Sequence, residues 1–89
     1  MAFKVSLHPS AARDLRKFGQ VEKMRMKKAL ENLAVDPWKT GKQLHPSDFW
    51  SIKSGDYRAI YEINSEQNEV VVLFIGHRKK VYDDFSKLL

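Results

Sequence analysis

From Trp50 to Tyr61 the chain reads Trp-Ser-Ile-Lys-Ser-Gly-Asp-Tyr-Arg-Ala-Ile-Tyr. This apolar-polar alternation, broken once by a Gly-Asp pair, constrains the segment to a β-hairpin. A two-residue Gly55-Asp56 turn of type II′ takes glycine at its first central position and sets Lys53 directly across from Arg58. Side chains alternate along a strand, so Trp50, Ile52, Ala59 and Tyr61 share the opposite face, which is the candidate core face. Like charges directly opposite each other on a sheet repel. Two readings of Lys53 and Arg58 follow: solvated surface cations, or cations that share an anion such as a phosphate.

With 89 residues, 43% of them apolar, the chain is long enough for one core, and one domain spanning residues 1–89 is expected. It contains no cysteine, which excludes disulfides, thiolate metal sites and cysteine nucleophiles and fits a reducing cytoplasm. The opening Met1-Ala2-Phe3-Lys4-Val5-Ser6-Leu7-His8 lacks the apolar run of a signal peptide, and no later stretch reaches membrane-helix length. A cytoplasmic protein is therefore expected, with no membrane partner. Sixteen Lys and Arg against eleven Asp and Glu give a net charge of +5, a field that favours an acidic partner without distinguishing RNA, DNA and acidic protein.

Phe3, Val5 and Leu7 alternate with Lys4 and Ser6 and predict a first strand with one buried face. Pro9 suits an early helical position, Ala12, Leu15 and Phe18 share a helical face, and Gly19 is placed to cap the C-terminus of that helix. Met26, Leu30, Leu33 and Ala34 predict a second helix from Gln20 to about Val35, its Lys and Arg residues forming a solvated face, with Asp36-Pro37 ending it. Trp38 to Ser47 shows no period and reads as an irregular connection. After the hairpin and the polar turn Asn64 to Asn68, the run Val70-Val71-Val72-Leu73-Phe74-Ile75 suits a strand buried on both faces. Val81, Tyr82, Phe85 and Leu88 have helix-like spacing and predict a short helix or a segment docked on the sheet. The expected fold class is α+β: two N-terminal helices on one face of a mainly antiparallel sheet of about four strands, in the order β-α-α-β-β-β with a short C-terminal helix. The other sheet face is expected to be open.

On that open face the alternation places Lys53, Arg58 and Ile60, and the last strand delivers His77, Arg78, Lys79 and Lys80 nearby. Clustered cations are suited to hold a phosphodiester and stabilise the charge that develops in its transition state, without a metal or cofactor. Crowding of cations lowers the pKa of a lysine, which makes Lys53 the best general-base candidate. Arg58 stays protonated and suits bidentate phosphate binding. Tyr82 suits stacking on an RNA base, or else core packing. The three histidines do not form a metal-ligand spacing. His8 and His45, each beside a proline, read as structural, while His77 reads equally as a hydrogen-bonded structural residue and as a catalytic one.

Four features together resemble the RelE/ParE toxin superfamily of prokaryotic toxin-antitoxin systems: the opening strand with His8-Pro9-Ser10-Ala11-Ala12-Arg13-Asp14-Leu15, Leu44, the Trp50–Tyr61 hairpin, and Ile75-Gly76-His77-Arg78-Lys79-Lys80-Val81-Tyr82. The RelE-like branch comprises ribosome-dependent endonucleases that cut mRNA in the A site through attack of the 2′-hydroxyl on the adjacent phosphate, inhibiting translation. The resemblance implies that Lys53, Arg58, Arg78 and Tyr82 are catalytic; His77, Lys79 and Lys80, delivered beside them by the last strand, are the candidate RNA-binding residues. Tyr82 follows Arg78 more closely than in the best-known bacterial members, and one hairpin lysine stands where those carry two. The resemblance also implies a cognate RelB-like antitoxin, in a toxin-antitoxin hetero-oligomer, with the ribosome and mRNA as targets. Two alternatives are a ParE-like inhibitor of DNA gyrase and a catalytically weak homologue that only binds its antitoxin or nucleic acid. Joint presence of the four candidate catalytic residues favours the nuclease, because an inhibitor has no use for that constellation.

Overall fold

The computed structural model describes residues 2–87. Its elements run β1 (Lys4–Leu7), α1 (Pro9–Arg16), α2 (Gln20–Leu33), α3 (Pro37–Thr40), β2 (Lys42–Gln43), β3 (Trp50–Ser54), β4 (Tyr57–Asn64), β5 (Glu69–His77) and α4 (Arg78–Ser86). The sheet order is β1-β5-β4-β3-β2, so the expected α+β architecture is present, with β2 as a fifth strand. β1 pairs with β5 in parallel and the other neighbours are antiparallel. Among the described residues no helix is long and apolar enough to cross a membrane. Leu88 lies outside the described residues.

Local signals account for most helix ends. The His8 ring accepts from the Ser10 N–H at 3.2 Å and caps α1, with Pro9 in the first turn, where a missing N–H costs nothing. Gly19, expected to end α1, instead precedes α2 as its N-cap, in extended conformation. Helix α1 needs no left-handed cap because it closes in tight i→i−3 turns, Lys17 N–H to the Asp14 carbonyl at 3.1 Å and Phe18 N–H to Leu15 at 3.2 Å. The same tightening, Ala34 N–H to Glu31 at 3.1 Å, ends α2 at Leu33 rather than Val35. Asp36 then caps a new one-turn helix, accepting from the Trp38 and Lys39 N–H groups at 3.2 Å. That helix and the two-residue β2 occupy the first part of the stretch from Trp38 to Ser47 expected to be irregular, both too short to show a period, while Leu44 to Ser47 form neither helix nor strand, as expected.

Helices α1 and α2 cover one sheet face, with Ala11, Leu15, Met26, Leu30 and Leu33 packed on Ile52, Ala59, Tyr61, Val70, Val72 and Ile75. This is the core face expected of the hairpin. The step from Val72 to Ile75 breaks strand alternation because the register shifts between Ile60 and Tyr61: Ile60 pairs with Phe74 but Tyr61 with Val72, leaving Leu73 as the extra residue of a bulge. The second face is not open as expected. Helix α4 lies on part of it and builds a smaller core of Ile60, Val81 and Phe85, against which Leu44, Phe49 and Phe74 pack. Ile60, expected beside the cations, is fully buried there, because the apolar stripe of α4 gains more by covering it than either surface gains from water.

Tyr61 ties the main core to the connection. Its hydroxyl donates to the Pro37 carbonyl at 2.7 Å in a buried site, and Gly41 must lack a side chain because a Cβ there would overlap the Tyr61 hydroxyl. Burial pushes the Tyr61 hydroxyl pKa upward, so the neutral phenol is the form the fold favours. Tyr61→Phe should therefore lower stability by about 1–3 kcal/mol by leaving a buried acceptor unpaired. The wild type should in turn lose stability above about pH 10, where the unfolded phenol ionises and the folded one does not, a loss the Phe variant should show less steeply. Denaturant melts of both proteins across pH 8–11 measure the two effects.

Candidate functional site

The cation pair stands as the hairpin predicts. Lys53 and Arg58 are opposite each other, Ile52 pairs with Ala59 and Trp50 with Tyr61. Gly55 has φ +62°, as the first central position of a type II′ turn requires. The Arg58 guanidinium does not float in solvent. Its Nη1 donates to the Gly55 and Tyr57 carbonyls, each at 2.9 Å, which orders the group and leaves its remaining donors for a ligand.

Where α4 stops covering the second face, a cleft of about 360 Å³ opens, lined by Thr40, Gly41, Lys42, Ser51, Ile52, Lys53, Arg58 and Tyr82. Three of these side chains are cationic and none is acidic. Tyr82 is 40% exposed and lines the cleft, so it does not take the core-packing role that was one of its two sequence readings. The ring comes from the first turns of α4 while Val81 and Phe85 of the same helix are buried. The helical period thus points one residue into the small core and the next over the cleft.

The other predicted residues lie elsewhere. Arg78 starts α4, with its N–H donated to the Asp56 carbonyl at 2.9 Å, which fastens the helix start to the hairpin turn. It is exposed and does not line the cleft. His77 caps α4, accepting from the Lys79 N–H at 3.4 Å, and its ring meets the edge of Tyr57 with centroids 6.0 Å apart. The structure thus gives it a structural task. His77 and Lys80 border a separate crevice of about 160 Å³ with Asp14, Lys17 and Phe18. Lys79 is exposed and borders neither opening. Lys42 is the cleft cation that sequence reasoning missed, since only its pairing with β3 brings it to the site.

A family profile described as the ParE toxin of the type II toxin-antitoxin system, parDE, matches residues 5–82. The chain is 31% identical over 85 residues to Toxin RelG of Mycobacterium tuberculosis, covering 92% of this chain and 98% of that protein. It is also similar to a chain of the toxin-antitoxin complex RelBE2 from Mycobacterium tuberculosis, with TM-score 0.81 and 28% identity over 88% of this chain and 93% of the other. A mutant of E. coli toxin RelE in the free state matches with TM-score 0.81 and 26% identity, over 100% of this chain and 99% of that one. The chain belongs to the RelE/ParE superfamily of type II toxin-antitoxin toxins.

Proposed function

We propose that this toxin is a ribosome-dependent endoribonuclease that cleaves mRNA in the A site and so inhibits translation. The observation that carries the reading is the convergence of Lys53, Arg58 and Tyr82 on one cleft with no acidic side chain among its described lining residues. Cations crowded this way are poorly placed for the folded protein alone and well placed for a phosphodiester. In the proposed reaction Lys53 takes the proton of the 2′-hydroxyl as that oxygen attacks the adjacent phosphorus. Arg58 holds the phosphoryl oxygens, where its ordered guanidinium matches the charge that builds up. The bond from phosphorus to the 5′-oxygen breaks, and that oxygen takes up a proton. The upstream fragment keeps a 2′,3′-cyclic phosphate and the downstream fragment a 5′-hydroxyl. Tyr82 stacks on a base next to the scissile bond, and Arg78, at the turn end of the hairpin, contacts the RNA backbone with His77, Lys79 and Lys80.

The related complexes named RelBE pair a toxin with an antitoxin, and the net charge of +5 suits an acidic partner. We propose a RelB-like antitoxin in a toxin-antitoxin hetero-oligomer as the cognate partner in the cytoplasm. The match to the ParE toxin profile favours a second reading, a gyrase inhibitor.

One substrate separates the two. An mRNA with a 2′-O-methyl sugar at the A-site cut position lacks the nucleophile, so it should bind and remain intact while the unmodified mRNA is cut. Cleavage of the modified mRNA sinks the mechanism. Failure to cut either mRNA, together with poisoning of gyrase, supports the second reading.

A further inference from the structure

The β2–β3 pairing puts Lys42 directly opposite Ser51, and Ser51 shares its strand face with Lys53, two residues on, which is itself opposite Arg58. Directly paired residues project from the same face of a sheet. Lys42, Ser51, Lys53 and Arg58 therefore form one patch across three strands, with Lys42 and Lys53 as diagonal neighbours roughly 7–8 Å apart at their stems. Ser51 between them is a small residue, so its own side chain fills little of the space over which two four-carbon stems can converge. Among the described residues no carboxylate borders the cleft to neutralise them.

We infer that Lys42 is a third phosphate-binding cation of this cleft, holding the RNA backbone from the β2 side while Lys53 and Arg58 hold it from the hairpin. The identity of the anion rests on the nuclease reading; the presence of the cation in the cleft does not. A bland task for Lys42 exists, because β2 is an edge strand and an edge lysine discourages pairing with another chain. The two roles differ in what they do to salt dependence. Each phosphate contact on single-stranded nucleic acid contributes about 0.7 to the slope of log affinity against log salt, whereas an edge guard contributes to solubility and nothing to that slope.

The test uses the full chain and a single-stranded RNA oligonucleotide whose sugars are 2′-O-methylated, so that it binds without being cut. Lys42→Gln should reduce the salt slope by about 0.7 and slow cleavage of ribosome-bound, unmodified mRNA on the order of tenfold, with an unchanged thermal melt. Lys42→Arg, which keeps the charge, should keep the slope. An unchanged slope in Lys42→Gln overturns the inference, as does an equal loss in both variants, which would mark geometry rather than charge. If the wild type cuts no mRNA yet Lys42→Gln loses its slope, the nuclease reading fails and the phosphate site stands. If the wild type cuts mRNA and the slope does not change, the reverse holds.

Discussion

Arg58→Ala should slow mRNA cleavage on the ribosome by about two to three orders of magnitude while the protein stays folded. The estimate is that of losing one pre-ordered donor to the charge of a transition state. Arg58 qualifies because two carbonyl contacts of 2.9 Å hold its guanidinium beside the hairpin turn, so little freedom is lost when a phosphate binds. The carbonyls it releases belong to a turn whose Gly55 is exposed, and water replaces the lost donor at a cost of about 1 kcal/mol or less. Lysine at this position should not restore the rate, since one ammonium cannot bridge both carbonyls and present a planar fork to phosphate. Arg78→Ala should act more weakly than Arg58→Ala, because Arg78 lies outside the cleft. Single-turnover cleavage with circular-dichroism melts distinguishes these outcomes. A fall below tenfold for Arg58→Ala would demote the residue to general RNA binding, and loss of activity through unfolding would count against its role.

The second large effect is on the fold. Ile52 is 4% exposed and sits opposite the fully buried Ala59, so Ile52→Asp places a carboxylate in the main core with no partner. Such a charge costs several kcal/mol, a large share of the roughly 5–15 kcal/mol that holds a small domain together, and the variant should be unfolded at 37 °C. Ser51→Asp, one residue away, should remain folded. Although Ser51 is itself buried, it pairs with Lys42 and shares its strand face with Lys53, so two cations are at hand for the new carboxylate, whereas Ile52 faces the main core. The same carboxylate should repel phosphate, so this variant should be folded and inactive. Equal denaturation midpoints for the two proteins would show that the strand register is wrong.

The contrast between adjacent residues marks how far local reading carried. The hairpin register, the pairing of Lys53 with Arg58 and the core face of Ile52, Ala59 and Tyr61 were all legible, because twofold alternation and one turn glycine operate within twelve residues. His8 and Pro9 at the head of α1 were legible for the same reason, while Gly19 misled because a glycine suits the end of one helix as well as the approach to the next. Family resemblance added the expected roles of Arg78 and Tyr82, and of these the geometry brings only Tyr82 to the cleft.

What the chain determines by itself is therefore each element whose driving interactions lie close in sequence: the hairpin, the two long helices, the apolar β5 and the surplus of positive charge. What the tertiary structure alone decided is which surface those elements leave uncovered. The two residues of β2 have no periodic signal and exist because β3 supplies partners for their backbone groups, which is how Lys42 enters the cleft. The bulge at Leu73 sets the register of Gly76 against Arg58, and α4 then buries Ile60 while leaving Tyr82 over the opening. Each of these depends on contacts between residues far apart in the chain, whose energies are settled only when the sheet and helices meet.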